Sequence, residues 1–334
     1  MMNNLAWGNL RNKLWSALGP LLALVVVVAV FALANQMQPG GGTFLRYRNF
    51  QSITNETAQL TVAALGMTLI IIAGGIDLSA GSIIALSSMV LALALQRDWP
   101  PSVAIAAAVL TGGLAGAGNG LLVSALRIVP FIVTLGTMTL YLGISKLLVP
   151  EGASEVLPGV EQVPAAFADF VATEPPAGWP ISPSVCGAVL LAVLIGTLMR
   201  FTVLGRYIYA IGSNEPASIL SGVPVPFWKI LIYALGGMCF GLAGVYLFAE
   251  FGKGIPTAGQ GMELAIITAV VVGGTSLSGG RGTVLGTVCG AAIMAVVGSG
   301  CVQLGLENRL RDIISGGIVI GAVAVDQWRS RWRG

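Results

Sequence analysis

Residues 57–96 read TAQLTVAALGMTLIIIAGGIDLSAGSIIALSSMVLALALQ. Two apolar runs, 57–73 and 82–96, flank the string Ala73-Gly74-Gly75-Ile76-Asp77-Leu78-Ser79-Ala80-Gly81-Ser82. Apolar runs of this kind recur along the chain, and crossing a hydrocarbon core of about 30 Å takes roughly 17–25 residues of helix. An aspartate between two such runs costs several kcal/mol if it meets lipid, so Asp77 is expected to face protein, a cavity or a cytoplasmic surface. The surrounding glycines permit a sharp break, which membrane depth tolerates only where protein or water covers the backbone.

Working outward, further apolar segments lie at 14–34, 102–126, 128–149, 183–199, 227–249, 262–278, 284–304 and 310–326. With the first two runs they predict an all-α polytopic membrane protein of about ten transmembrane helices, one domain over 1–334. Composition agrees: the 334 residues are 55% hydrophobic and only 9% charged, against about a quarter charged in soluble domains. A soluble enzyme, a disulfide scaffold and a nucleic-acid-binding module are all excluded by that balance. No histidine is present, which removes His-based catalysis, His-ligated metal and His proton relays. Cys186, Cys239, Cys289 and Cys301 fall inside apolar runs without C-x-x-C spacing and read as small buried hydrophobes. No catalytic residue and no metal site is predicted.

Arg11 and Lys13 precede the 14–34 segment, whose end, Ala32-Leu33-Ala34, imitates a signal-peptidase site. The segment is longer than a secretory h-region, so it reads as an uncleaved first crossing with a cytoplasmic N-terminus. Ten crossings then put both termini in the cytoplasm. Under that topology Arg11, Lys13, Arg127, Arg200, Arg206, Lys229, Arg281, Arg329, Arg331 and Arg333 lie inside. Arg46, Arg48, Arg97, Lys253, Arg309 and Arg311 lie outside, and the bias has the sign that orients membrane proteins. The 150–182 loop carries Glu151, Glu155, Glu161, Asp169 and Glu174 without Lys or Arg and is placed outside as a partly ordered surface loop.

Gly112, Gly116 and Gly120 form consecutive G-x-x-x-G steps, and Gly237 and Gly241 another; such steps let helices pack closely in lipid. A second interrupting string, Val272-Gly273-Gly274-Thr275-Ser276-Leu277-Ser278-Gly279-Gly280-Arg281, resembles the first. Paired interruptions point to a transport pathway, and a tight helix-to-helix turn at the cytoplasmic face explains them equally. An offset of six crossings makes the two strings parallel, not inverted. Either a segment is re-entrant or the similarity is not an architectural repeat. Leu277 to Arg281 also imitates the LSGGQ motif of ABC ATPases, but the chain has no G-x-x-x-x-G-K-[ST] phosphate cradle, so it binds no nucleotide by this reading.

The inward loop 200–229 is organised. Ser213 or Asn214 is placed to cap a helix, Glu215 suits its first turn and Pro216 is tolerated there. Gly222 ends it as a C′ residue, and Pro224 and Pro226 prevent its continuation. The prediction is a helix of about two turns, with Ile219 and Leu220 available to a partner.

Four pieces in order, Gly75 to Ser79, Pro130 to Thr137, Gly205 to Gly222 and Gly273 to Gly280, resemble the permease subunits of bacterial binding-protein-dependent ABC importers. The resemblance is to the ribose/xylose/galactose class and runs from about residue 57 to 326. It implies the ten-helix type II importer fold in a bacterial cytoplasmic (inner) membrane. The implied partners are a separate ABC ATPase that binds ATP and Mg, a periplasmic or lipid-anchored sugar-binding protein, and a second permease copy; no nucleic acid is involved. By resemblance, Gly205, Arg206, Tyr207, Ser213, Asn214, Glu215, Leu220 and Gly222 form the coupling loop. Asp77, Ser79, Asn119, Phe131, Thr134, Thr137 and Glu263 are the candidates for the translocation path. Two positions depart from the family pattern: Leu142 after Tyr141 where an Arg is frequent, and Ala265 where an acid is frequent. A branched-chain amino-acid or nucleoside permease is the alternative within the class, and an ion-coupled secondary transporter the rival outside it.

Overall fold

The computed structural model describes residues 2–38, 41–171 and 181–331. Glu174, assigned above to the acidic loop, lies outside the described residues. Every apolar segment is helical: α1 (Met2–Gln36), α2 (Tyr47–Ile72), α3 (Ala80–Gln96), α4 (Pro101–Leu126), α5 (Pro130–Leu147), α6 (Ala165–Val171), α7 (Pro183–Phe201), α8 (Val203–Ser213), α9 (Glu215–Leu220), α10 (Val225–Phe251), α11 (Met262–Val272), α12 (Val284–Gln303) and α13 (Asn308–Arg331). Seven of these, α1, α2, α4, α5, α7, α10 and α12, are each long and apolar enough to cross a membrane. α3, with 17 residues, and α11, with 11, fall short, so the seventeen-residue crossing expected at 262–278 is an 11-residue helix followed by a turn.

Local chemistry sets the helix ends. α4, α5 and α7 open with proline at the first position, where its missing N–H costs nothing. Thr283 caps α12 by accepting from the Gly286 amide at 3.0 Å. Gly252, at φ +66°, closes α10.

The long helices α2 and α10 form the centre, burying Leu65, Met67 and Ile70 on one and Phe240 and Phe248 on the other. α4 lies along α10, and the two G-x-x-x-G series meet there. A methyl group on Gly112 would collide with the Gly237 carbonyl and with Gly241, and one on Gly237 would collide with the Gly112 carbonyl. The backbones touch because neither helix carries a side chain at the crossing.

The arrangement is internally symmetric. α4 packs on α10 as α12 packs on α2; α3 sits beside α4 as α11 sits beside α12; α5 rests on α3 as α13 rests on α11. The units α2–α5 and α10–α13 therefore correspond, with α2 and α10 running in opposite directions. In each unit a long helix is followed by irregular backbone, residues 73–79 or 252–261, and then by a short helix. The second string, 272–281, is the turn between α11 and α12. Its likeness to 73–82 is not the architectural repeat; 252–261 is the true counterpart.

Residues 150–171 pack on the end of the bundle where α10 finishes. Val156 is fully buried and pairs with Gly254 through an isolated bridge, Glu155 meets Lys253 at 2.8 Å, and Phe167 and Phe170 of α6 contact the rings of Phe248 and Tyr246.

Gly237→Val is expected to destabilise the detergent-solubilised protein by about 1–3 kcal/mol through overpacking. Gly136→Ala, where an added methyl meets nothing within 4 Å, is expected to leave thermal unfolding unchanged or slightly raised.

Candidate functional site

The break after α2 turns back into the bundle instead of leaving it. Asp77 Oδ1 accepts from the Ser79 amide at 2.8 Å and the Ser79 hydroxyl at 2.6 Å. Its Oδ2 accepts from Asn119 Nδ2 at 3.1 Å, and the same amide group donates to Ser79 Oγ at 2.7 Å. Asn119 is seven residues short of the end of α4, so α3 starts about 10 Å inside the bundle. The Tyr141 hydroxyl approaches Asn119 Oδ1 at 3.2 Å and donates to the Ala115 carbonyl at 2.8 Å. Thr134, one turn into α5, donates to the Ile76 carbonyl and accepts from the Leu78 amide, both at 3.1 Å. Asp77, Ser79, Asn119 and Thr134 are all 0% exposed. Among the described residues no cation pairs with Asp77, so three donated hydrogen bonds hold a wholly buried carboxyl group.

The other break is open. Gly254 lies against Met89 and Ala92, and Gly259 against the Gly81 backbone and Ala85. Residues 252–261 thus descend along α3 from Ala92 to Gly81 in its first turn, about 16 Å at 1.5 Å per residue. Ten residues of extended chain cover that distance. Gly81 and Gly259 touch backbone to backbone, each carbonyl occupying the space of the other's missing Cβ. Thr257 and Gln260 are exposed on this segment, and Glu263 is half-buried. Glu263 Oε1 accepts from the Gly261 amide at 3.1 Å in the first turn of α11. Polar groups at this depth do not face lipid; they face protein or water.

At the opposite end, α8 joins the first break to the turn between α11 and α12, and α9 follows it. Gly212, in the last turn of α8, sits where a methyl group would collide with the Ile72 carbonyl at the end of α2 and crowd the Gly280 amide. That amide itself donates to the Ile72 carbonyl at 2.8 Å. Gly279 and Gly280, at φ +82° and +69°, press against Gly212, Gly74 and Ser213. The Tyr209 hydroxyl donates to the Gly282 carbonyl at 2.9 Å. Asn214, not Ser213, caps α9, its Oδ1 accepting from the Ala217 amide at 2.9 Å. Gly222 at φ +81° closes it: the Gly222 amide bonds the Ile219 carbonyl and the Val223 amide the Ser218 carbonyl, the paired geometry of a Schellman end. Glu215 pairs with Lys229 of α10 at 2.7 Å. Ile219 is 56% exposed and Leu220 89%.

The structure therefore brings Asp77, Ser79, Asn119 and Thr134 into one network. Thr137 is buried beside it, its hydroxyl turned to the Thr134 carbonyl. Phe131 is exposed on α5 and outside the network, and Glu263, in the first turn of α11, lies across Gly81. In the coupling set, Arg206, Ser213, Asn214, Leu220 and Gly222 are exposed. Gly205 is buried against the Met199 backbone, and Tyr207 packs edge-on to Trp228 at 4.8 Å, so these two hold α8 in place. Sequence reasoning missed Tyr141, Tyr209, Thr257 and Gln260. Tyr141 was legible as a polar group one helix away from Asn119; Thr257 and Gln260 looked like part of an external loop.

Residues 49–323 match the family described as branched-chain amino acid transport system / permease component. The chain belongs to that family. It is a multi-pass membrane permease subunit, and a permease subunit is not itself an enzyme. The permease is 37% identical over 304 residues to the ribose import permease protein RbsC of Escherichia coli, covering 91% of this chain and 92% of the relative. It is 36% identical over 313 residues to RbsC of Bacillus subtilis, covering 94% and 93%. It is 33% identical over 318 residues to the D-allose transport system permease protein AlsC of Escherichia coli, covering 95% and 93%. No solved structure matches it.

Asn119→Ala leaves Asp77 Oδ2 without its donor and is expected to cost about 3 kcal/mol in unfolding of the purified permease. Thr137→Val, which removes one local hydrogen bond to backbone, is expected to cost about 1 kcal/mol in the same assay.

Proposed function

We propose that the permease carries a neutral monosaccharide or polyol inward as the membrane subunit of an ABC importer of type II architecture. The observation that carries this reading is α9, a short helix stopped at both ends that holds two bare aliphatic side chains outward while its neighbour α8 is seated on the first backbone break and on the turn between α11 and α12. A separate ABC ATPase, holding ATP and Mg, grips Ile219 and Leu220. A sugar-loaded periplasmic or lipid-anchored binding protein docks at the opposite end, and a second permease copy completes the path.

In this reading the chain crosses the inner membrane ten times, with α1 to α5, α7 and α10 to α13, where residues 73–79 and 252–261 complete the crossings of the short helices α3 and α11; both termini are cytoplasmic, and the α8–α9 end faces the ATPase. Thr257, Gln260 and Glu263 line the external half of the path. The Asp77–Ser79–Asn119–Thr134 network closes its internal half. ATP binding draws the two α9 helices together and favours the alternative opening, which requires the ATPase to bind one state more tightly than the other.

The names of the relatives support a sugar, and so does the site. Hydroxyl, amide and carboxylate groups match a polyol, and Lys253, the cation of the open segment, is taken up by Glu155. A branched-chain amino acid is the second reading, favoured by the family description. The Glu263 carboxylate at the head of α11 opposes it, because it occupies the place an amino acid's own carboxylate would seek.

Leu220→Asp is expected to leave the permease inserted in the membrane, to cut co-purification of the ATPase by at least about tenfold, and to abolish uptake of radiolabelled D-ribose. Unchanged uptake would remove the coupling assignment. Collapsing proton and sodium gradients at constant ATP is expected to spare uptake, and its loss would favour an ion-coupled carrier.

A further inference from the structure

Glu215 of α9 holds Lys229 of α10, and one helical turn further along α10 stands Tyr233. Its Cβ faces Gly120 of α4, and its ring reaches across to the first break, where a methyl group on Gly75 would collide with the hydroxyl. Tyr233 is 3% exposed, and its hydroxyl has no hydrogen-bond partner among the described residues. Gly74, Gly75, Lys229 and Tyr233 enclose a cavity of about 10 Å³, room for one water at most. Asp77, two residues beyond Gly75, lies within electrostatic range of Tyr233. Among the described residues its Oδ2 accepts only from Asn119, and a carboxylate oxygen has capacity for a second donor.

A donor without an acceptor and an acceptor with spare capacity thus lie on either side of a glycine. Phenylalanine would fill the same space without burying an unmatched hydroxyl. We propose that Tyr233 is a positioning residue for transport, its hydroxyl donating to Asp77 in the alternative state of the cycle and so stabilising that state. Lys229 and Tyr233 lie on one face of α10, so a pull on Glu215 that turns or slides α10 moves the hydroxyl relative to Gly75. In that state the path runs from α9 through Lys229 and Tyr233 to Asp77, and from there to Asn119 and Ser79.

The inference rests on the reading of the chain as an ATPase-driven permease. The test is Tyr233→Phe in the full-length chain, co-expressed and purified with its ATPase and placed in nanodiscs. Without the hydroxyl the alternative state loses a hydrogen bond to a carboxylate. Sugar-free ATP turnover is then expected to fall about tenfold, while ATPase co-purification stays at the wild-type level. The melting temperature of the resting complex is expected to be equal or higher. In proteoliposomes with D-ribose as the probe, maximal uptake falls in parallel and KM is unchanged. Turnover equal to wild type overturns the proposal. So does a loss of turnover accompanied by a lower melting temperature, because that makes the hydroxyl a structural support of the resting state. If the wild-type complex moves no D-ribose, the sugar reading fails, and the sugar-free hydrolysis comparison still decides the role of Tyr233.

Discussion

The contact between Gly212 and the end of α2 is the constraint on which the rest depends. The Ile72 carbonyl, left over at the last turn of α2, accepts the Gly280 amide at 2.8 Å, and Gly212 fits over that bond only because it lacks a Cβ. Three chain segments far apart in sequence meet there through backbone alone. α8 is thereby fixed to the start of one break and to the turn that follows α11. A displacement of α9 has no soft side-chain layer to absorb it before it reaches both.

The two breaks differ in a way that suits alternating access. Residues 73–79 are folded into the bundle and sealed by Thr134 from α5, with every polar group of Asp77, Ser79 and Asn119 in contact with a partner. Residues 252–261 lie along α3 with Thr257 and Gln260 uncovered. Irregular backbone survives at membrane depth only when protein or water covers it, and here one break has the first cover and its symmetric mate leaves room for the second. Gly81 and Gly259 make the joint between the halves, so the two cannot open independently of their shared contact.

Much of this was legible in the chain. Apolar runs located the helices because lipid requires continuous apolar surface, and the α9 caps were readable because Asn214 and Gly222 act through local backbone geometry. The G-x-x-x-G steps announced close packing, although not that Gly112 would meet Gly237. The internal symmetry was hidden for a physical reason. The matching breaks, IDLS at 76–79 and GKGIPTAGQG at 252–261, share no residue pattern, because one is sealed by side-chain hydrogen bonds and the other by backbone contact with α3. The similar strings at 73–82 and 272–281 are alike because both must let α8 approach, a tertiary demand that mimics a repeat. Asp77 was recognisable as a residue in need of partners; that Asn119 would supply one, with Tyr141 in turn against Asn119, depends on the register of α4 and α5 against α3.

The most direct measurement is uptake by the Gly212→Ala variant together with co-purification of its ATPase. The added methyl leaves the exposed face of α9 intact but cannot coexist with the seated position of α8. The account predicts a membrane-inserted permease that binds its ATPase normally and moves solute at least about tenfold more slowly. Uptake at the wild-type rate with a normally bound ATPase would contradict it, because α8 would then not need its seat on the first break and the α11–α12 turn to drive transport.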